Sequence, residues 1–265
     1  MSPTRSVSIG PVTLGGKHFV VIAGPCSIES EQQFLETATT VKAAGATLLR
    51  GGIYKLRTDP NTFQGLGDDG LRIARMVRKT VGLPIVTEVT DARQIPLLVD
   101  AIDVFQVGSR NMYNYELLKE LAHTGKPVLL KRAFSATIEE WLLAAEYLEK
   151  GGNPNVILCE RGIRTFEPAL RNTLDLAAVP YVRTLSQLPI IVDPSHGTGR
   201  RDLILPMSLA AAAAGADGLL IEVHPHPEQS LSDGYQSIDG PMFATLMTQL
   251  EKILAAVDRP LLKNV

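Results

Sequence analysis

Cysteine is scarce: only Cys26 and Cys159 occur among 265 residues. That count excludes a disulfide-stapled scaffold and makes the cytoplasm the default compartment. Charge of one sign is not in excess either, since the formal net charge is -2. A balance so close to neutral argues against non-specific nucleic-acid binding and against a membrane surface. Long hydrophobic runs are missing as well. The opening MSPTRSVSIG has no apolar core of a signal peptide. The longest small-apolar stretch, 209–215, is far too short to span a bilayer. What is present is ordinary for a globular chain with a real core, at 45% hydrophobic and 20% charged. The length suits one α/β barrel, so we expect a single catalytic domain over 1–265 with no linker.

Short β-branched runs alternate with longer helical patterns. Strands are expected over 18–23, 46–50, 84–89, 104–107, 127–131, 155–160, 189–193 and 218–223. They read as continuous apolar runs such as FVVIA and PIIVD, the pattern of parallel strands covered on both faces. Helices are expected over 30–44, 68–81, 91–101, 114–124, 137–150, 167–185, 203–214 and 241–257. Ser30 is an N-cap, Thr137 and Glu140 form a capping box, and Pro180 divides the sixth helix into two pieces. Strict alternation of eight strands and eight helical segments demands parallel pairing with crossover helices. The fold class is therefore α/β, a closed (β/α)8 TIM barrel. A doubly wound open sheet would show a glycine fingerprint after its first strand, where this chain reads GPCS. The segment VSIGPVTLGG is expected to form a short N-terminal β-hairpin that turns at Gly10-Pro11 and plugs the bottom of the barrel.

In such a barrel the C-terminal strand ends carry the site. Here they deliver Cys26, Arg50, Glu88, Arg110, Lys131, Arg132, Glu160, Arg161, Asp193, His196, Glu222 and His224. With Lys55, Arg57 and Arg164, the rim holds far more cations than the whole chain's charge suggests. A ring of Arg and Lys suits a small polyanion, because guanidinium forks grip phosphate or carboxylate. Any one of these cations alone reads as a solvated surface charge. A second constellation is Cys26, His196, Glu222 and Asp233. A thiolate, an imidazole and two carboxylates make a mixed site for a transition metal such as Mn, Fe, Co or Zn. Taken singly, Cys26 is a small buried hydrophobe and His196 a hydrogen-bonded structural histidine. His224 and His226 fall on an exposed proline-rich HPHP loop and are read as non-ligands. Cys159 is expected to be buried within the sixth strand.

Several ordered motifs carry a resemblance over about 20–257. They include AGPCSIES at 23–30, LLRGGIYKLRT at 48–58, FQG at 63–65, TEV at 87–89 and QVGSRN at 106–111. LLKR at 129–132, ILCERGIRTFE at 157–167, DPSHGTGRR at 193–201, IEVHP at 221–225 and LSDGYQS at 231–237 complete them. The chain resembles the 3-deoxy-D-arabino-heptulosonate-7-phosphate (DAHP) synthases in their short form, which lacks a regulatory domain. The resemblance implies a metal-dependent transferase that condenses phosphoenolpyruvate with erythrose 4-phosphate and releases phosphate. That reaction opens the shikimate pathway of aromatic amino acid biosynthesis. It makes Cys26, His196, Glu222 and Asp233 ligands of a divalent metal ion. It places Arg50, Lys55, Arg110, Lys131 and Arg161 around phosphoenolpyruvate, and Arg57 and Thr58 near the aldose phosphate. Lys55, Glu88, Lys131 and His196 are the expected catalytic residues. Lys55 would act as general acid, and Glu88 with Lys131 would position a water. The resemblance also implies a homodimer or homotetramer and leaves room for a chorismate mutase partner. Two positions depart from the pattern. Leu56 stands where the family has proline, which frees φ and restores a donor. Ala133-Phe134 follows Arg132 where a smaller glycine is common.

Three other readings are weighed. A 3-deoxy-D-manno-octulosonate-8-phosphate synthase would use arabinose 5-phosphate, but its aldose loop resembles A-N-R-S-S rather than Lys55-Leu56-Arg57-Thr58. A Schiff-base aldolase would use Lys131 as nucleophile. A non-catalytic barrel that binds a phosphometabolite or a partner enzyme would have lost part of the quartet or the cationic rim.

Overall fold

Gly10 and Pro11 reverse the chain between two short strands, β1 (Val7–Ile9) and β2 (Val12–Leu14), with Val7 opposite Leu14. Gly10 takes a φ of 57°, which costs glycine little. Val7, Ile9, Val12 and Leu14 lie on one face of the hairpin. They join the interior cluster of the barrel with Val20, Leu129 and Leu220. Thr4 donates to Asp217 at 2.9 Å and the Arg5 amide to the Gln187 carbonyl at 2.6 Å. Both partners precede barrel strands, so the hairpin closes the N-terminal end as expected. The computed structural model describes residues 4–263. Residues 1–3 and 264–265 of the expected 1–265 domain lie outside the described residues.

Eight parallel strands close the barrel: β3 (Val20–Gly24), β4 (Leu48–Arg50), β5 (Ile85–Val89), β6 (Val104–Val107), β7 (Val128–Lys131), β8 (Val156–Glu160), β9 (Ile190–Val192) and β10 (Gly218–Glu222). Each pairs with the next, and β10 pairs with both β9 and β3. Strand side chains alternate between two faces. Ile22, Leu48, Val86, Val104, Leu129, Cys159, Ile191 and Leu220 fill the interior. Val21, Leu49, Ile85, Phe105, Leu130, Leu158, Ile190 and Leu219 pack against the helices. Cys159 is buried in the interior, as its sequence position suggests.

The helices are α1 (Glu31–Ala43), α2 (Asp68–Val81), α3 (Ile95–Leu98), α4 (Tyr115–Ala122), α5 (Ile138–Lys150), α6 (Ala178–Leu185), α7 (Pro194–Thr198), α8 (Arg201–Ala213) and α9 (Gly240–Ala256). Ser30 caps α1, and Thr137 with Glu140 forms the expected capping box of α5. Two expectations need correcting. The third helix is a single turn of α3 preceded by a 3-10 turn at Ala92–Gln94, because Asp91 caps the chain there and Pro96 follows. The sixth does not form two pieces over 167–185. Only α6 is helical, with Pro180 in its first turn, where a missing N–H costs nothing. The preceding segment instead lays Thr173 against Ile163 as an isolated bridge and carries Arg171 to the mouth. Among the described residues, no helix is long and apolar enough to cross a membrane.

Candidate active site

The interior parity of each strand continues past the packed core into the C-terminal mouth. Two residues beyond Leu48, Val86, Leu129, Cys159, Ile191 and Leu220 stand Arg50, Glu88, Lys131, Arg161, Asp193 and Glu222. A side-chain period of two therefore converts a dry core into a polar floor. Arg132 and Glu160 have the opposite parity, and here the structure corrects the rim expected from the sequence. They point into the helix layer. Arg132 pairs with Glu160 and Asp175, each at 2.9 Å, and lies over the Trp141 ring.

The strand ends bring the quartet together. One ligand atom from each of Cys26, His196, Glu222 and Asp233 lies within 4.8 Å of the other three. His196 is aimed by Asp193, which accepts from the backbone N–H at 2.9 Å and sits 2.8 Å from Nδ1. Nε2 is thereby turned toward Glu222 Oε1 at 3.3 Å and Asp233 Oδ2 at 4.0 Å. The second carboxylate oxygen of Glu222 accepts from Gln236, and Gln236 accepts from Arg171 at 2.6 Å. Lys55 Nζ lies 2.6 Å from Cys26 Sγ and 3.5 Å from Asp233 Oδ2.

These residues fit a metal ion. Glu222 Oε1 is fully buried and has no hydrogen-bond partner. Arg50 and His196 stand 3.2 and 3.3 Å from it without hydrogen-bond geometry, so the oxygen keeps a lone pair free for an ion. Burial pushes the Cys26 thiol up to about 12 and the His196 imidazole down to about 4. Burial works against ionisation of Asp233 too, yet Lys55, His196 and Arg171 hold its carboxyl well below the usual range. A neutral imidazole, two carboxylates and a thiol awaiting deprotonation are the donor set a borderline-soft divalent metal selects.

Beside the quartet lies a cavity of about 240 Å³. Arg50, Lys55, Arg57, Arg110, Lys131, Arg161 and Arg171 line it, against the carboxylates Asp59, Glu88 and Asp233. Arg50 reaches Glu222 Oε1 at 3.2 Å, but its buried Nε and Nη1 are unpartnered. Lys131 pairs with Asp193 at 2.7 Å. Arg57 is braced by Thr62 at 3.1 Å and Ser232 at 3.2 Å, and Arg110 reaches Thr58 at 3.4 Å. Three guanidiniums converge on the Phe134 ring: Arg161 at 4.7 Å, Arg164 at 4.9 Å and Arg110 at 5.5 Å. Among the described residues none of these three forms an ion pair. Burial pushes Arg161 down to about 10. A wall of unpaired guanidiniums on a π face is arranged for an incoming anion.

Gly108 leaves the space that the Glu88 carboxylate occupies. A Cβ on Gly108 would lie 2.0 Å from Glu88 Oε1. Gly108→Ala is expected to displace the Glu88 carboxylate and lower kcat by about 100-fold, the scale of a misplacement near 1 Å. KM for the anionic substrate should change little. Steady-state kinetics on the variant measures both.

Arg171 is a wall residue that the expected helix over 167–185 hid. Phe134 and Asp193 also matter more than their sequence positions suggested. His224 needs correction in the other direction. It is not on an exposed loop but buried at 4% exposure, 3.3 Å from Glu29. It stands outside the quartet, as does the exposed His226.

Comparison with known proteins agrees with the geometry. The model of the DAHP synthetase I family matches residues 4–257. The chain is 49% identical to a phospho-2-dehydro-3-deoxyheptonate aldolase of Thermotoga maritima, over 95% of this chain and 74% of that one. A crystal structure of that enzyme, a DAHP synthase, superposes with a TM-score of 0.95 at 48% identity, covering 98% of this chain and 76% of the other. A truncated form of the Thermotoga synthase matches with a TM-score of 0.92 at 46% identity, covering 98% and 95%. A 2-dehydro-3-deoxyphosphooctonate aldolase of Desulfotalea psychrophila is more distant, at 31% identity over 92% of each chain. The chain belongs to the DAHP synthetase I family.

Proposed function

We propose that the chain condenses phosphoenolpyruvate with erythrose 4-phosphate, releasing phosphate, as the first step of aromatic amino acid biosynthesis. The observation that carries this reading is the wall of unpaired guanidiniums directly beside a four-ligand metal quartet. Arg50, Arg110, Lys131 and Arg161 hold the phosphate and carboxylate of phosphoenolpyruvate. Arg57, braced by Ser232, and Thr58 line the same cavity and hold the aldose phosphate. Two polyanions that repel each other are thus held in reacting range.

A divalent metal ion (Mn, Fe, Co or Zn) held by Cys26, His196, Glu222 and Asp233 would polarise the aldehyde oxygen and stabilise negative charge there. C3 of phosphoenolpyruvate bonds to the aldehyde carbon, water adds to C2, and the resulting hemiketal phosphate loses inorganic phosphate. Burial opposes a charge on Lys55, but in the metal-free site Cys26, Asp233 and Glu222 raise its pKa. Lys55 donates the proton to the new hydroxyl. Glu88 and Lys131 line the same cavity, where Glu88 orients the water with the help of Lys131. Arg171 adds a cation beside Asp233 at 3.7 Å.

We place the reaction in the cytoplasm, in a homodimer or homotetramer, with a chorismate mutase as a candidate partner. Nucleic acid and membrane have no part in it. The octulosonate alternative is not favoured, because the relatives with that activity stand at 31% identity. The Schiff-base alternative finds Lys131 committed to Asp193. Phosphate release with phosphoenolpyruvate and either aldose tests the assignment. Rapid release with erythrose 4-phosphate and little with arabinose 5-phosphate is expected. The reverse preference would overturn it, and no release with either would point to a non-catalytic barrel.

A further inference from the structure

Glu29 is not part of the cavity wall. It follows Cys26 by three residues, in the loop between β3 and α1. Its carboxylate nevertheless reaches the flanks of two other quartet residues. Oε1 accepts from Ser230 Oγ and from the Leu231 amide, both at 3.0 Å, just ahead of Asp233. Oε2 faces His224 Nε2 at 3.3 Å, two residues beyond Glu222. His224 Nδ1 accepts from the backbone N–H of His226 at 3.0 Å, so the ring proton sits on Nε2 and points at Glu29.

The clamp is itself anchored. The Glu29 amide donates to Gln33 in the first turn of α1 at 3.3 Å. The Glu29 and His224 side chains are 9% and 5% exposed, so the bonds are shielded from water. Asp233 has need of such support. It adopts a left-handed φ of 56°, which a non-glycine residue keeps only when its surroundings hold it.

We propose that Glu29 is a positioning residue that ties the loop bearing Cys26 to the segment running from Glu222 to Asp233, and so sets the metal affinity of the quartet. This rests on reading the quartet as a metal centre. Partners behind metal ligands commonly control affinity in this way.

The test uses the full chain stripped of metal, with Co²⁺ as the probe. Binding is followed by the thiolate-to-cobalt absorption that Cys26 would supply. Glu29→Ala is expected to weaken Co²⁺ binding about 10-fold, the low end of the range for groups bonded directly to a ligand, because Glu29 acts through neighbouring residues. Glu29→Gln should fall between it and the parent, because an amide oxygen still accepts from Ser230 and Leu231 but no longer serves His224. A merely structural Glu29 would lower Tm and leave Co²⁺ affinity at the parent value, and that result overturns the proposal. If Glu29→Ala does not fold, Glu29→Gln and Ser230→Ala must each weaken Co²⁺ binding several-fold. Unchanged affinity in both would again overturn it. A parent chain that fails to bind Co²⁺ would instead overturn the metal reading itself.

Discussion

Arg161→Ala should bind phosphoenolpyruvate more weakly by about 2–5 kcal/mol, roughly 30-fold to several thousand-fold, while melting no lower than the parent. The two halves of this result share one cause. Arg161 is buried at the end of β8, and Arg110 and Arg164 crowd the same Phe134 ring. In the free protein its charge pays a desolvation cost that no ion pair offsets. Burial pushing its pKa down to about 10 reports the same cost. Removing it takes away repulsion as well as a binding group, the trade expected where a site is built for a ligand and not for stability. Arg161→Lys should recover only part of the affinity, since an ammonium cannot grip phosphate with two parallel donors. Isothermal titration with phosphoenolpyruvate and a thermal melt read both halves. Unchanged affinity would remove Arg161 from the substrate site, and a large fall in Tm would make it a structural residue.

Cys26→Ala is the second large effect. Loss of a partner behind a ligand costs 10- to 100-fold in metal affinity, so loss of a ligand itself should cost at least about 100-fold. Activity at limiting metal should fall with it. The barrel should stay folded, because Cys26 is a small side chain at the rim of a core supplied by other residues. Metal content after dialysis and circular dichroism check the two claims. A variant that keeps its metal would show Cys26 to be only packed.

Much of this was legible in the chain. Continuous apolar strands and their alternation with helices specify the barrel, because buried parallel strands have no polar face to show. The hairpin plug follows from Gly10-Pro11 between alternating apolar residues. Cys26, His196, Glu222 and part of the cationic wall could be named because they end strands or follow them closely, whereas Asp233, Lys55 and Arg57 lie in loops and were marked by their motifs. Three features were missed. Arg132 and Glu160 sit at strand ends like their neighbours, and only the parity that points Leu130 and Leu158 outward removes them from the mouth. Counting by two from the interior residues of β7 and β8 would have found this. Arg171 lies in a segment whose composition reads as helix, and the bridge from Thr173 to Ile163 that holds the segment is a tertiary pairing with no local signal. His224 looks exposed in an HPHP run. Its burial depends on Glu29, some two hundred residues away in sequence, closing over it.

As proposed, Cys26, His196, Glu222 and Asp233 hold one ion that the reaction needs. The direct test is phosphate release from phosphoenolpyruvate and erythrose 4-phosphate before chelation, after exhaustive chelation, and after adding back Mn²⁺. Activity should vanish on chelation and return when about one ion per chain is bound, given the single four-ligand cluster among the described residues. Full turnover by the chelated, metal-free chain would contradict the account.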